Sequence, residues 1–261
     1  MVFTIVTVCY NAVEDIEDTI RSVVGQTSMS SVDYVIVDGG STDGTTDIIC
    51  KYRSHLGYYA SEPDRGIYDA MNKGIAVSKG DYVLFLNAGD VLKDSKVIEE
   101  VGKRVRSVTS RYDIIYGDVI YKYAFGEKYV PAQALSRIKY DMVFSHQSAF
   151  VRTEVLRKRH FNTQYRLAAD YDFLLWAYIS RLSFCHIDLP VSVIDAVGGA
   201  TYGNFVKSRR ESCEIQCANG GNRCLCYGWY LWKISRFKIT STIKDRFPHR
   251  LLRMLVAKEH D

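Results

Sequence analysis

No uncharged apolar run in the 261 residues reaches the roughly 18 needed for a membrane-spanning helix, so the sequence supplies no such segment. A charged-then-apolar leader is missing too. A strand-like run, Val2 to Tyr10, begins almost at the first Met, and the expectation is a protein made and kept in the cytoplasm. An even cysteine count is also lacking. The seven (Cys9, Cys50, Cys185, Cys213, Cys217, Cys224 and Cys226) are scattered through a chain too large to need disulfide staples, which predicts reduced thiols. The last four read C-x3-C then C-x-C, which is not a common zinc spacing and argues against zinc there. No internal repeat or low-complexity tract interrupts the chain. What is present, 47% hydrophobic and 25% charged residues, suits one sizeable core.

Charge is unevenly placed. From Gly203 onward twelve basic residues face five acidic ones, a net +7, which leaves −3 for the rest of a chain whose total is +4. The basic segment also holds Tyr227, Trp229, Tyr230, Trp232, Ile234 and Phe237 among Lys233, Arg236 and Lys238, and Leu251, Leu252, Leu255 and Val256 beside Arg250 and Arg253. Aromatic and basic residues together suit an anionic membrane surface. An amphipathic helix packed on the rest of the chain or on a second subunit fits the same pattern. The division expected is residues 1–202 as one domain and 203–261 as a helical C-terminal extension.

In the first half, short apolar runs alternate with segments of helical period: Phe3 to Tyr10 then Ile16 to Gln26, Tyr34 to Asp38 then Thr45 to Arg53, Leu56 to Ser61 then Ile67 to Ser78, Tyr82 to Asn87 then Ser95 to Val108. This alternation predicts an α/β protein with a mostly parallel central sheet and helices on both faces. After Ile114 the strands are less regular (Ile114 to Tyr121, Val143 to Val151, Phe184 to Ile187) around a helix near Tyr171 to Arg181, which predicts a mixed second half. Parallel sheets bind ligands at the carboxyl ends of their strands. Polar and glycine-rich clusters fall at those ends: Tyr10-Asn11, Asp38-Gly39-Gly40-Ser41, Glu62 to Gly66, and Asn87 to Asp90.

The turn after the first strand excludes several nucleotide chemistries. It reads Cys9-Tyr10-Asn11-Ala12, neither G-x-G-x-x-G nor the phosphate loop G-x-x-x-x-G-K-[ST], and it lacks the Gly- and Arg-rich loop of nucleotidyltransferases that make activated sugars. The run from Thr7 through Asn11, the turn Val37 to Thr45, the stretch Ser61 to Gly74, Leu86-Asn87-Ala88-Gly89-Asp90, Ser145-His146-Gln147 and Ala168-Ala169-Asp170-Tyr171-Asp172 together resemble the family 2 glycosyltransferases of bacterial capsule, O-antigen and exopolysaccharide synthesis. The resemblance covers about residues 3 to 200 and rests on motifs in the family's order.

It implies a Rossmann-like GT-A fold, a nucleotide-diphosphate sugar donor that is usually a UDP-sugar, Mn2+ or Mg2+, and inversion at the anomeric carbon. Tyr10, Asn11 and Asp38 inherit contacts to base and ribose. Asp64 lines the same crevice, Asn72 and Asn87 face the donor, and Asp90 takes the metal. Met71 stands where many members have Arg, which leaves Arg65 or Lys73 to meet the diphosphate. Asp170 inherits the role of general base, with Ala169 where a Glu usually precedes it. Two further departures are Asp38-Gly39, where most relatives have two carboxylates, and Asn87-Ala88-Gly89-Asp90, where many have Asp-x-Asp. Mg2+ needs only one or two protein carboxylates, so Asp90 can suffice.

Each role has a structural counterpart. Asp38 also fits a turn residue bonding its own backbone, Asp90 and Asp170 fit helix or segment caps, and Arg65 and Lys73 fit a solvated face. His146 is either a core histidine or a donor or metal contact. Gly198-Gly199 is either an ordinary turn or a loop closing over the donor phosphates. The partners implied are a nucleotide sugar, a lipid-linked or oligosaccharide acceptor, an anionic membrane inner face and a second copy of the chain, with no nucleic acid. Two other classes stay open: a catalytically silent fold kept as a sugar-binding subunit, and a sugar-nucleotide pyrophosphorylase, which the missing glycine-rich loop disfavours.

Overall fold

Four successive strand–helix units open the chain in the computed structural model, which describes residues 1–107, 111–124, 126–195 and 203–246. They are β1 (Phe3–Cys9) and α1 (Ile16–Val24), β2 (Val32–Asp38) and α2 (Thr45–Lys51), β3 (Tyr58–Ser61) and α3 (Ile67–Val77), and β4 (Tyr82–Phe85) followed by the short β5 (Val91–Leu92) and α4 (Val97–Ser107). The second half adds β6 (Ile114–Tyr123), β7 (Gly126–Val130), β8 (Ala149–Arg152), α5 (Thr153–Lys158), α6 (Ala169–Ile179) and β9 (Phe184–Asp195). Helices α7 (Phe205–Ala218) and α8 (Arg223–Arg246) follow. The chain divides into two units, Met1–Asn204 and Phe205–Asp261.

The strands form one sheet in the order β3-β2-β1-β4-β8-β6-β9-β5, with β7 pairing β6. β1, β2, β3 and β4 are mutually parallel, whereas β8 runs antiparallel to β4 and β6. Every residue of β1 is buried, as expected for a central strand covered on both faces. Phe3 and Ile5 belong to a core with Ile16 and Ile20 of α1 and Val97 and Ile98 of α4. Val6 faces the other way, toward α3, which approaches so closely that a Cβ on Gly74 would lie 2.4 Å from Val6 Cγ1. Helices thus cover both faces, and the predicted mostly parallel sheet with a mixed second half is what the chain forms.

Departures from the expected elements have local causes. The strand expected over Val143 to Val151 is a one-turn 3-10 helix at His146–Ser148 that feeds the four-residue β8. Ser148 turns the chain there, its N–H and hydroxyl both donating to the Ser145 carbonyl, at 3.0 and 2.9 Å. His146 therefore sits on a turn at the sheet's end, not within an apolar strand. β9 extends past the expected Ile187 to Asp195, and a register irregularity opposite Asp118 accommodates Pro190. In the second unit, α7 and α8 are joined through Gly220, at φ 85°, and Phe205 stacks on Phe237 at 4.2 Å between ring centroids. Gly198-Gly199 and Leu251 to Val256 lie outside the described residues.

Candidate active site

Because β1 to β4 are parallel, their carboxyl ends deliver Tyr10-Asn11, Gly39 to Ser41, Glu62 to Gly66 and Asn87 to Asp90 to one edge of the sheet. The antiparallel β8 brings the His146–Ser148 turn to the same edge. The first turn of α6 arrives there as well, through a hydrogen bond between Asp170 and His146.

Asp38 is sealed into the turn after β2. It is 0% exposed, and its Oδ2 accepts from Gly40 N at 3.1 Å, Ser41 N at 2.9 Å and Ser61 Oγ at 2.6 Å, while Oδ1 accepts from the Ser41 hydroxyl. Burial alone would raise its pKa, but the Ser41 and Ser61 hydroxyls and the Ser41 N–H outweigh it and hold the carboxyl low. Its acceptor capacity is spent on shaping the turn, the role its place before Gly-Gly allowed. Asn11, at φ 46°, accepts from Thr42 N at 3.0 Å and its own N–H donates to Ser41 Oγ at 2.7 Å, which ties the first two strand ends together. Tyr10 projects from this pair with 65% of its surface exposed.

The loop after β3 is fixed from within. Asp64 Oδ1 accepts from Gly66 N at 2.7 Å, and Lys73 Nζ donates to Pro63 O at 3.0 Å and pairs with Glu62 at 2.8 Å. Lys73 is a brace of this loop. The Arg65 side chain is 82% exposed and among the described residues pairs only with Asp69, at 3.4 Å, which leaves its charge standing out at the N-terminus of α3. Asn72, expected at the donor, instead gives its amide to the backbone of Phe161, donating to O and accepting from N, both at 2.9 Å.

The acidic centre is a network. Asp170 is 9% exposed and lies in the first turn of α6, whose cap position is Ala168; Asp170 is not the N-cap. Its Oδ1 accepts from the Tyr68 hydroxyl at 2.8 Å and Tyr171 N at 2.9 Å, and Oδ2 accepts from His146 Nδ1 at 2.8 Å. One acceptor position on Oδ2 stays open among the described residues. Burial pushes the Asp170 carboxyl upward, but the His146 hydrogen bond and charge, then Tyr68 and the Tyr171 N–H, outweigh it and keep the group ionised. The other ring nitrogen of His146 lies 3.3 Å from Asn87 Nδ2, and Asn87 Oδ1 is buried without a partner among the described residues.

Next to His146 in sequence, Gln147 Nε2 donates to Asp90 Oδ2 at 3.0 Å. Burial, reinforced by the Asp195 charge, pushes Asp90 up to about 6 against that hydrogen bond, the charge of His146 and a hydrogen bond from the Asp195 backbone. Asp172, two residues after Asp170, points elsewhere: it accepts from Arg159 at 2.8 Å, and that guanidinium lies 4.8 Å from the Trp176 ring centroid. Tyr68 and Gln147 hold the two key carboxylates, and neither stood out as a functional residue in the sequence. The one available signal was their place inside the quoted motifs.

A family model described as glycosyl transferase family 2 matches residues 4–174. A PGL/p-HBAD biosynthesis glycosyltransferase of Mycobacterium bovis is 31% identical over 175 residues, 66% of this chain and 67% of that protein. The putative teichuronic acid biosynthesis glycosyltransferase TuaG of Bacillus subtilis is 38% identical over 103 residues, 38% of this chain and 40% of that protein. Among solved structures, S. aureus TarS 1-349 in complex with UDP-GlcNAc superposes with a TM-score of 0.67 at 19% identity over 88% of this chain and 70% of that one. The mannosyltransferase PcManGT from Pyrobaculum calidifontis, in complex with GDP-Man and Mn2+, gives 0.66 at 15% identity over 98% and 78%. These likenesses establish the GT-A fold. With the family model spanning all four strand-end turns and reaching the Asp170 helix, the chain belongs to glycosyl transferase family 2 and is a glycosyltransferase.

Proposed function

We propose that the chain moves a sugar, with inversion, from a nucleotide-diphosphate donor of the UDP-sugar type to an acceptor hydroxyl on a lipid-linked glycan in cell-surface polysaccharide synthesis. The observation that carries this reading is the buried Asp170 carboxyl group, held by Tyr68 and His146 at the sheet edge where the four strand-end turns converge. In a single displacement the acceptor oxygen attacks the anomeric carbon, the bond from that carbon to the diphosphate breaks, and the acceptor proton passes to Asp170 Oδ2. Arg65 faces the departing diphosphate, and Tyr10, Asp64 and Asn87 line the donor crevice with His146. The named relatives are described as a PGL/p-HBAD biosynthesis glycosyltransferase and a putative teichuronic acid biosynthesis glycosyltransferase, and the superposed structures hold UDP-GlcNAc and GDP-Man, which supports the donor class and the setting. A melting-temperature screen of nucleotide sugars with Mn2+ tests it, because a ligand that binds only the folded chain raises the transition by mass action. One nucleotide sugar should stand out; a panel without any shift would count against the donor reading.

A divalent cation fits the turn after β4. The Asp90 carboxylate, held by Gln147 Nε2 and by the Asp195 backbone N–H, and Asn87 Oδ1, buried without a partner among the described residues, put hard oxygens on the same turn. No group of three or more His, Cys, Asp or Glu arranged for a metal occurs among the described residues. Such a site would hold Mg2+ or Mn2+ mainly through diphosphate and water oxygens, and the bound ion would supply charge neutralisation on the leaving group.

The second unit, we propose further, rests on the anionic inner face of a membrane near the acceptor. No helix among the described residues is long and apolar enough to cross a membrane. On α8, Leu225, Trp229, Leu231, Trp232 and Ile239 are exposed, with Lys233 5.5 Å from the Trp229 ring centroid and Arg236 5.6 Å from that of Trp232. Each basic group near an anionic surface contributes on the order of 1 kcal/mol. Full-length protein should co-sediment with phosphatidylglycerol vesicles. Trp229→Ala/Trp232→Ala combined with Arg236→Glu should lose most of that binding, and equal binding by the variant would rule the surface out.

A further inference from the structure

Gly39 is a glycine for a reason of space. Its φ is not positive, unlike that of Gly40 at 85°, so its backbone does not demand the residue. A Cβ there would instead lie 2.5 Å from Asp64 Oδ2 and 3.3 Å from Tyr10 Cδ2. The carboxylate of Asp64, reaching over from the β3–α3 loop, occupies the volume that a side chain at position 39 would fill. It is held there through Oδ1, which accepts from Gly66 N at 2.7 Å, and Oδ2 has no partner among the described residues. Beside it stands the Tyr10 ring, 65% exposed. Asp38, the carboxylate next to Gly39 in sequence, is fully buried and consumed by its own loop and by Ser61 of β3.

A flat exposed ring next to a fixed group that can only accept hydrogen bonds is a recognition site for a planar heterocycle with a ring N–H on its edge. We infer that Asp64, not Asp38, reads the nucleobase of the donor, and that it selects bases with an imide-type N–H, uracil or guanine. A base stacked on Tyr10 directs that N–H at Asp64 Oδ2. Cytosine and adenine carry a lone pair on the corresponding ring nitrogen, which the carboxylate repels. Gly39 is the companion of this choice, since any Cβ there displaces Asp64. The inference rests on the nucleotide-donor reading given above and adds which residue sets the base.

Calorimetric titration of the full chain with UDP, GDP, CDP and ADP in Mg2+ tests it. Wild type should bind UDP or GDP about 30-fold or more tighter than CDP and ADP, the discrimination expected from one charge-assisted hydrogen bond made or left unmade. Asp64→Asn should weaken the preferred nucleotide by about tenfold and strengthen CDP, because an amide can turn its NH2 toward the cytosine nitrogen, bringing the two within about 3-fold. A gain of CDP binding cannot come from a misfolded chain. Gly39→Ala should erode the same discrimination with Asp64 intact. Discrimination unchanged in both variants overturns the inference and leaves the donor reading standing. If wild type binds none of the four nucleotides, the donor reading fails and the inference fails with it.

Discussion

Asp170→Asn should keep its affinity for the donor and lose about 100-fold or more in turnover. The amide can still accept from Tyr68 and Tyr171 N through Oδ1, so the first turn of α6 stays in place. What disappears is the proton acceptor: the NH2 group that replaces Oδ2 faces His146 Nδ1 and cannot take a proton from an attacking hydroxyl. Since Asp170 is not the helix cap, loss of capping does not compete as an explanation. Asp172→Asn is the control. It weakens the bond to Arg159, should cost about 2 kcal/mol of stability for a hydrogen bond between charged groups, and should leave turnover of the folded fraction near wild type. Near wild-type turnover in Asp170→Asn, with a verified donor and acceptor, would assign Asp170 a purely structural role.

The second large effect is expected at Asp90, and it has opposite signs for binding and for stability. Asp90 is 6% exposed, and burial pushes its carboxyl up to about 6 from an unfolded value of 3.8. A carboxyl whose pKa is raised on folding favours the folded state fully at pH below the unfolded value. That contribution is lost as pH rises, and above about 6 the folded chain carries an ionised, poorly solvated group. Asp90→Asn removes the cost and keeps an acceptor for Gln147, so at pH 7.5 the variant should melt at or above wild type, by on the order of 1–3 kcal/mol. Near pH 3.5 the two should converge. Added Mn2+ with nucleotide sugar should raise the wild-type transition and leave the variant's unmoved, with donor affinity in Mn2+ reduced tenfold or more in the variant. Donor binding that survives both Asp90→Asn and chelation would remove the metal from the account.

The strand–helix alternation was legible because buried parallel strands are written as short apolar runs, and because polar turns mark the carboxyl ends where the site forms. The placement of Asp170, Asp90 and His146 at one edge follows from that topology. What the sequence could not show is which polar side chains face a ligand and which face a neighbouring loop. Asn72 and Phe161 are 89 positions apart, and only folding reveals that the Asn72 amide is spent there. Asp38 is used up in the same way by its own turn and by Ser61 at the end of β3, and Lys73 by the loop that precedes its helix. Conversely, Tyr68 is one of several buried positions on α3, distinguished only by a hydroxyl that needs a partner, and that partner is 102 positions away. The His146 turn was masked by its apolar flanks, Val143 and Phe144 before it and Ala149 to Val151 after it, which read as one continuous strand.

The most direct test of the central claim is release of nucleoside diphosphate when the full chain is incubated with UDP- and GDP-sugars in Mn2+. One donor should yield its nucleoside diphosphate, faster when an acceptor glycan is added, and Asp170→Asn should suppress the yield by about 100-fold without loss of donor binding. A chain that binds a nucleotide sugar tightly yet releases no nucleoside diphosphate, with or without acceptor, would contradict sugar transfer at this site.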